Sequence, residues 1–340
     1  MTRALVTGCT GGLGANIVAA LNRRGVEVVG LRRSSSPFDA VADLDFETVV
    51  GDLLAPQSLR RAMQGVDWVF HAAAIADDWH YEADAVYRVN GHGTRNVLDA
   101  ALEAGVSRVV YTSSTAALGK PRPGQPLMDE HNTFNLDPAD FPYGHSKHRA
   151  EGIVQEYVAR GLDVVSVLPA AIMGPRDLKF ISGELLVRVL KRQIMPFPQG
   201  GLNFIDIRDC AEAHIAAAER GRRGERYVLG GHNMTHRETL GIVGRVLGVR
   251  VRHVEMPRRL LPALAEVIML LKRLGAEIPL ERGRVLLSGE FLYYDSSKAR
   301  QELGLQARPF AESVRDAYDW YLANGYLERR GVAAGTRERR

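Results

Sequence analysis

The chain has 340 residues, 46% of them hydrophobic and 25% charged, with a formal net charge of +4. That balance supplies enough apolar surface for a large core and fits a soluble α/β protein with one main domain and a smaller lobe. The excess charge comes from scattered arginines and a terminal RERR run, so it does not mark a nucleic-acid groove. The two cysteines, Cys9 and Cys210, match no zinc or redox spacing and point to a reducing compartment, with the cytoplasm as the expected location.

Ala4 to Val6 read as a short buried strand, and TGCTGGLG as the turn into a helix whose Ile17, Val18, Ala20 and Leu21 fall at helical spacing. In that turn Gly8 permits a tight bend, Gly11 lets the backbone approach a pyrophosphate, and Gly14 lets the helix pack closely on the strand. The anion would meet free amides and the positive end of a helix dipole. Strand, glycine loop and helix in that order predict a dinucleotide site rather than an ordinary turn.

VEVVGL at 26–31 predicts a second strand ending in Arg32 and Arg33, followed by three serines. At this point of a dinucleotide fold an acidic side chain binds the ribose hydroxyls of NAD, whereas arginine accommodates the extra phosphate of NADP. No Asp or Glu ends the strand, so NADP is expected ahead of NAD, with Ser34 and Ser35 as further hydrogen-bonding partners.

ETVVGDL at 47–53 predicts a third strand ending in Asp52, PQSLRRAMQG a helix with Pro56 in its first turn, and DWVFHAAA a fourth strand over 67–70. Ala72, Ala73 and Ala74 leave room for a ligand at the carboxyl edge of a parallel sheet, and His71 reads as a structural histidine. A long helix is expected over 83–104, a fifth strand over 107–114, an irregular functional loop over 116–142, a helix over 141–161 and a sixth strand over 163–170. This alternation predicts parallel β-α-β units in a Rossmann-type doubly wound sheet.

Beyond Gly174 shorter elements predict a smaller lobe: a helix over 183–192, a strand at NFIDI, a helix over 209–220 and a strand at ERYVLGG. Met173, Phe180, Ile181, Met195 and Phe197 are candidates for a substrate wall or for core. The stretch LLPALAEVIMLL is too short to span a bilayer. Leu260, Leu261, Leu264, Val267, Ile268, Leu271 and Leu274 recur at helical spacing, and core packing is the expected fate of that face. A membrane surface or a greasy substrate is the alternative, given the flanking Arg258, Arg259, Lys272 and Arg273. The expected division is a dinucleotide-binding core over 1–172, a mainly substrate-binding C-terminal lobe over 173–327 with segments returning to the core, and a disordered tail over 328–340.

Tyr143 and Lys147 stand four apart at a helix start and so share a face, while Ser113 and Ser114 end a neighbouring strand. Together they form a proton-transfer set. A tyrosine with a pKa of about 10 is a poor acid or base near neutrality, but a nearby ammonium stabilises its phenolate. A serine hydroxyl can hold the substrate oxygen meanwhile. His131, His145 and His148 lack a carboxylate or cysteine at ligand spacing and read as surface histidines, so no metal site is expected.

With these residues in place, the chain resembles the extended branch of the short-chain dehydrogenase/reductase superfamily, the NAD-dependent epimerase/dehydratase family. TGCTGGLG resembles its TGxxGxxG loop, YGHSK its YxxxK motif, and TSSTAALG its serine segment. The resemblance implies Ser114, Tyr143 and Lys147 as catalytic residues. It also implies cofactor contacts from Thr10, Gly12 and Leu13 in the loop, from Asp52 and Leu53, from the alanines of FHAAA, from Asn90 in VNGHGT, and from Pro169. LRRSS and MGPRD are most similar to dihydroflavonol reductase and 3β-hydroxysteroid dehydrogenase relatives and to hopanoid-associated sugar epimerases. Where nucleotide-sugar epimerases carry an asparagine after the sixth strand, this chain has LPAAIMGP, whose Ala170 to Met173 would make an apolar wall. The activity expected is therefore NADP-dependent interconversion of a hydrophobic ketone or aldehyde and its alcohol. A nucleotide-sugar epimerase or dehydratase with retained cofactor, and a non-catalytic cofactor sensor, are the alternatives. A homodimer is expected by analogy.

Overall fold

The computed structural model describes residues 2–76, 81–181, 183–191, 195–276, 278 and 282–327. Its first half alternates strand and helix: β1 (Arg3–Thr7), α1 (Gly12–Arg23), β2 (Glu27–Arg32), β3 (Glu47–Val50), α2 (Pro56–Ala62), β4 (Trp68–His71) and α3 (Ala83–Tyr87). A π-turn at Arg88–His92 carries α3 into α4 (Gly93–Ala104), and β5 (Arg108–Thr112), α5 (Pro142–Ala159) and β6 (Val164–Pro169) follow. The second half adds β7 (Ala171–Met173), α6 (Gly183–Leu190), β8 (Met195–Pro198), β9 (Gly201–Asp206), α7 (Ile207–Arg220), β10 (Arg226–Leu229) and β11 (His232–Thr235). It ends with α8 (His236–Leu247), β12 (His253–Met256), α9 (Leu261–Arg273), α10 (Arg282–Leu287), β13 (Phe291–Leu292) and α11 (Phe310–Ala323).

Seven strands make one sheet in the order β10-β6-β5-β4-β1-β2-β3, and every neighbouring pair is parallel. Such strands are buried on both faces, so side chains of period two must be apolar in both directions. Ala4 and Val6 accordingly pack with α1 and α7, while Leu5 between them packs with α2, α4 and α5. The strand order reverses between β1 and β4, and a crevice opens beyond their carboxyl ends, the usual ligand position in such sheets. This is the doubly wound Rossmann-type arrangement that the alternation predicts.

Several boundaries differ from expectation. The third strand stops at Val50, because beyond Gly51 the Asp52 carboxylate accepts the Leu54 amide at 2.8 Å and bends the chain. The helix over 209–220 and the strand at ERYVLGG, read with the smaller lobe, belong to the main layers: α7 packs on α1, and β10 is the edge strand beside β6. Buried Ala211, Ala213, Ala216, Ala217 and Ala218 give α7 the small face that allows this approach.

The smaller lobe is a sheet of β11, β9 and β13 joined by β7, with β12 and β8 paired beside it. Leu186 of α6, Val243 of α8 and Phe310 of α11 fill its core. Met173 is buried there, and the Phe180 ring stacks on Tyr321 with centroids 4.4 Å apart, so both are core rather than substrate wall. The side chain of Met195 and the tail over 328–340 lie outside the described residues. On α9 only Leu261, Ala265 and Ile268 are buried, contrary to the expected core packing of the whole face. Its principal partner is the short α10, which covers one side of it alone.

Candidate active site

At the end of β1 the chain turns at Gly8, whose φ of +71° lies in the region that favours glycine. A Cβ there would stand 2.9 Å from the Ala73 backbone, and one at Gly14 would stand 2.1 Å from the Gly8 carbonyl oxygen. The Gly11 amide closes the turn by donating to that same oxygen at 2.9 Å. α1 then begins at Gly12 with no side-chain cap, presenting first-turn amides where an anion would sit.

A cleft of about 920 Å³ opens here. It is lined by Gly8, Thr10, Gly11, Gly12, Leu13 and Gly14, and further on by Arg32, Arg33, Asp52, Leu53, Ala72, Ala73, Ala74 and Pro169. Arg32 lies over the Phe38 ring at 4.7 Å. Its Nη1 donates to the Arg33 carbonyl oxygen at 3.3 Å, and its buried Nε has no hydrogen-bond partner among the described residues. The Arg33 amide donates to Ser36 Oγ at 3.1 Å, and this turn brings Ser36 to the cleft in place of the expected Ser34 and Ser35.

Asn90 does not line the cleft. The π-turn aims it inward, where Oδ1 accepts the Ile75 amide at 2.9 Å and Nδ2 donates to Ile75 O at 3.0 Å and Ser146 Oγ at 2.9 Å. It braces the wall that carries Ala72 to Ala74. His71 is likewise structural: it is buried between Thr7 Oγ1 at 2.8 Å and Thr94 Oγ1 at 3.0 Å, and burial pushes its pKa down to about 3. His145 and His148 are half-buried rather than surface residues, stacked about Phe134, with Tyr87 Oη at 2.8 Å from His145 Nδ1.

Ser114, Tyr143 and Lys147 line the same cleft. Ser114 caps a 3-10 turn over Thr115–Leu118, its Oγ accepting the Ala116 amide at 3.1 Å, which leaves its hydroxyl proton to be donated elsewhere. Pro142 starts α5, so Tyr143 falls in its first turn and Lys147 one turn further on the same face. Lys147 Nζ donates to the Thr112 carbonyl oxygen at 2.7 Å and lies 5.0 Å above the Tyr111 ring. Only 3% of Lys147 is exposed, and burial pushes its pKa down to about 7 against the opposing pull of Glu151. Glu151, four residues on, accepts from Ser113 Oγ at 2.5 Å and faces Arg226 at 3.4 Å. Burial pushes the Glu151 carboxyl up, and Arg226 and Ser113 oppose that. The i,i+4 spacing from Lys147 was the available signal for Glu151.

The far end of the cleft is built by the smaller lobe. Ala170, Ile172, Phe197, Phe204, Leu240 and Leu292 make apolar wall, and Ile181 also lines it. Several polar groups at this end are engaged: Asn203 Oδ1 accepts the Gly231 amide at 2.9 Å, His236 Nε2 meets Ser288 O at 2.9 Å, and Arg188 pairs with Glu184 at 2.6 Å. Lys179 and Arg284 reach the lining as well. Ala170, Ile172, Ile181 and Phe197 are among the wall candidates of the sequence, whereas Phe204, Leu240, Leu292 and the polar groups come from distant segments with no local motif to reveal them.

A family model described as the NAD dependent epimerase/dehydratase family matches residues 4–230. The chain belongs to that family. A protein of Synechocystis sp. bearing the name dihydroflavonol 4-reductase is 37% identical over 329 residues, 95% of each chain. Sterol demethylase protein B of Methylococcus capsulatus is 34% identical over 338 residues, covering 95% of this chain and 99% of that one. A solved structure of a nucleoside-diphosphate-sugar epimerase from Pseudomonas aeruginosa superposes with a TM-score of 0.79 at 27% identity, over 96% of this chain and 99% of that one. The chain is thus an oxidoreductase of the extended short-chain dehydrogenase/reductase type, from a family that depends on a nicotinamide dinucleotide.

Proposed function

We propose that this protein interconverts a ketone or aldehyde and the corresponding alcohol on an apolar small molecule, using NADP. The observation that carries the reading is one cleft holding Ser114, Tyr143 and Lys147 between the glycine loop and an apolar wall, where Asn203, His236 and Arg188 are already paired. The glycine loop, Asp52 and the alanine strand end would hold the dinucleotide. The guanidinium of Arg32 in the cleft lining fits an added phosphate better than a ribose diol.

When bound, the nicotinamide supplies or accepts hydride at the carbon bearing the oxygen. The protein's part is proton chemistry and position. Ser114 donates its hydroxyl to the substrate oxygen. Tyr143 gives its phenolic proton to that oxygen as it gains charge, and recovers a proton from solvent afterwards. Lys147, fixed by Thr112, stabilises the phenolate so formed. The wall from Ala170 to Ile172 and Leu240 excludes water and selects apolar substrates.

The test is a panel of hydrophobic ketones and alcohols with wild type and Tyr143→Phe. Carbonyl-dependent NADPH oxidation falls at least about 100-fold in the variant while NADPH binding is kept. Substantial residual turnover in Tyr143→Phe, with cofactor bound normally, refutes the mechanism. A second reading is favoured by Lys179 and Arg284, whose cations line the cleft where a sugar diphosphate would lie. Cofactor that stays bound through turnover with no net consumption selects that reading.

A further inference from the structure

The buried side of α9 faces α10 through Leu261, Ala265 and Ile268, yet its other side is apolar too. Leu260, Val267, Leu271 and Leu274 recur there at helical spacing, with Leu270 beside them. Leu260 is 48% exposed, Val267 53%, Leu270 56%, Leu271 41% and Leu274 76%. At 1.5 Å per residue the stripe runs about 20 Å, which sets it apart from singly scattered surface leucines. No helix among the described residues is long and apolar enough to cross a membrane, so this one could lie on a bilayer but not span it.

Charge selects the occupant. Arg258 and Arg259 precede the stripe, and Lys272 and Arg273 close it. Arg258 is ion-paired with Glu290, and Glu266, the acid within the helix, bonds Arg282 at 3.0 Å. Both ends of the stripe are therefore basic. If two copies met through it by a two-fold axis, cations would face cations whether the helices ran parallel or antiparallel. Anionic headgroups meet both ends with opposite charge while the leucines enter the acyl boundary.

We infer that α9 seats this protein on an anionic bilayer surface through Leu260, Val267, Leu270, Leu271 and Leu274, with Arg259 and Arg273 engaging headgroups. α10, packed on α9, carries Arg284 and Leu287 into the cleft lining, so the surface lies one helix away from the candidate active site. Vesicle binding is read without turnover and stands apart from the choice of substrate.

The full chain is floated with phosphatidylcholine vesicles and with vesicles containing phosphatidylglycerol, beside Val267→Glu/Leu271→Glu and Arg259→Glu/Arg273→Glu. Wild type floats with the anionic vesicles. The first variant loses about tenfold or more of its partition for each apolar residue replaced, and the second about fivefold for each cation removed. NADPH binding and thermal midpoint stay at wild-type values in both, since the four positions are outside the cleft lining. Wild type that fails to float on anionic vesicles overturns the inference, as do variants that float like wild type. A wild-type dimer in sedimentation velocity that Val267→Glu/Leu271→Glu converts to monomer also overturns it, in favour of a second copy.

Discussion

Lys147 Nζ donates to the carbonyl oxygen of Thr112 across 2.7 Å, tying α5 to the end of β5 at the point where Ser113 and Ser114 leave the sheet. The bond fixes the amine, but burial makes its charge costly and pushes the pKa from 10.5 to about 7. Because the folded pKa is the lower one, the unfolded chain holds more protons between about pH 7 and 10.5, and this group makes stability rise with pH across that window. Lys147→Met removes the penalty. The variant should be more stable than wild type near pH 6 to 7, by on the order of 1–3 kcal/mol, and lose that advantage toward pH 10.5. Thermal midpoints of both proteins across this range check it, with activity down at least about 100-fold in the variant.

Glu151 opposes the loss of charge on Lys147 and is itself held by Ser113 at 2.5 Å and Arg226 at 3.4 Å. Glu151→Gln keeps the shape and removes the negative charge, so the Lys147 pKa falls further and less of it is cationic at pH 7. The Tyr143 phenolate then loses support. Alcohol oxidation, which begins from that phenolate, should fall about tenfold at pH 7 and recover at higher pH, where Tyr143 ionises without that support. The KM for NADP should change little. A pH profile of kcat identical to wild type would assign Glu151 a structural role alone.

The sequence made visible what local spacing encodes. The glycine loop, Arg32 and the Tyr143–Lys147 pair are short-range patterns whose chemistry demands those residue types, and all come to one cleft. Asn90, expected at the cofactor, is carried by a π-turn that directs its side chain to Ile75 and Ser146, and no periodicity announces that turn. α9 shows the limit of amphipathic reasoning: spacing reveals an apolar face but not whether another element covers it. Chain position alone does not tell which segments after 173 return to the core, because the place of α7 and β10 beside α1 and β6 depends on long-range packing.

Two glycine-to-alanine changes should act in opposite directions. Gly152 lies inside α5, is exposed and has open space where a Cβ would stand, so Gly152→Ala should stabilise by about 0.5–1 kcal/mol and raise the thermal midpoint by about 1–4 °C. At Gly14 a Cβ would stand 2.1 Å from the Gly8 oxygen, and the obstacle is backbone rather than a side chain that can turn away. Gly14→Ala should displace α1 from the loop, destabilise by about 1–3 kcal/mol and weaken cofactor binding severely. Scanning calorimetry and cofactor titration read both effects, and a Gly14→Ala protein with wild-type affinity would remove the loop from the dinucleotide site.

On the proposed NADP reading cofactor choice would rest on Arg32, which lies over the Phe38 ring at 4.7 Å. A guanidinium so placed presents a fork that matches a phosphate, and a charge-assisted hydrogen bond to it is worth about 1.5–3 kcal/mol. Arg32→Asp removes that bond and sets a carboxylate against the same phosphate, while offering an acceptor to a ribose diol. The ratio of kcat/KM for NADPH over NADH should therefore fall on the order of 100-fold, most of it through KM for NADPH. Tyr143 and Lys147 are untouched, so kcat at saturating cofactor should remain close to wild type. Parallel kinetics with the two cofactors give the ratio. A wild type that prefers NADH, or a ratio unmoved by Arg32→Asp, would transfer the choice of cofactor to Asp52 and the ribose contacts around it.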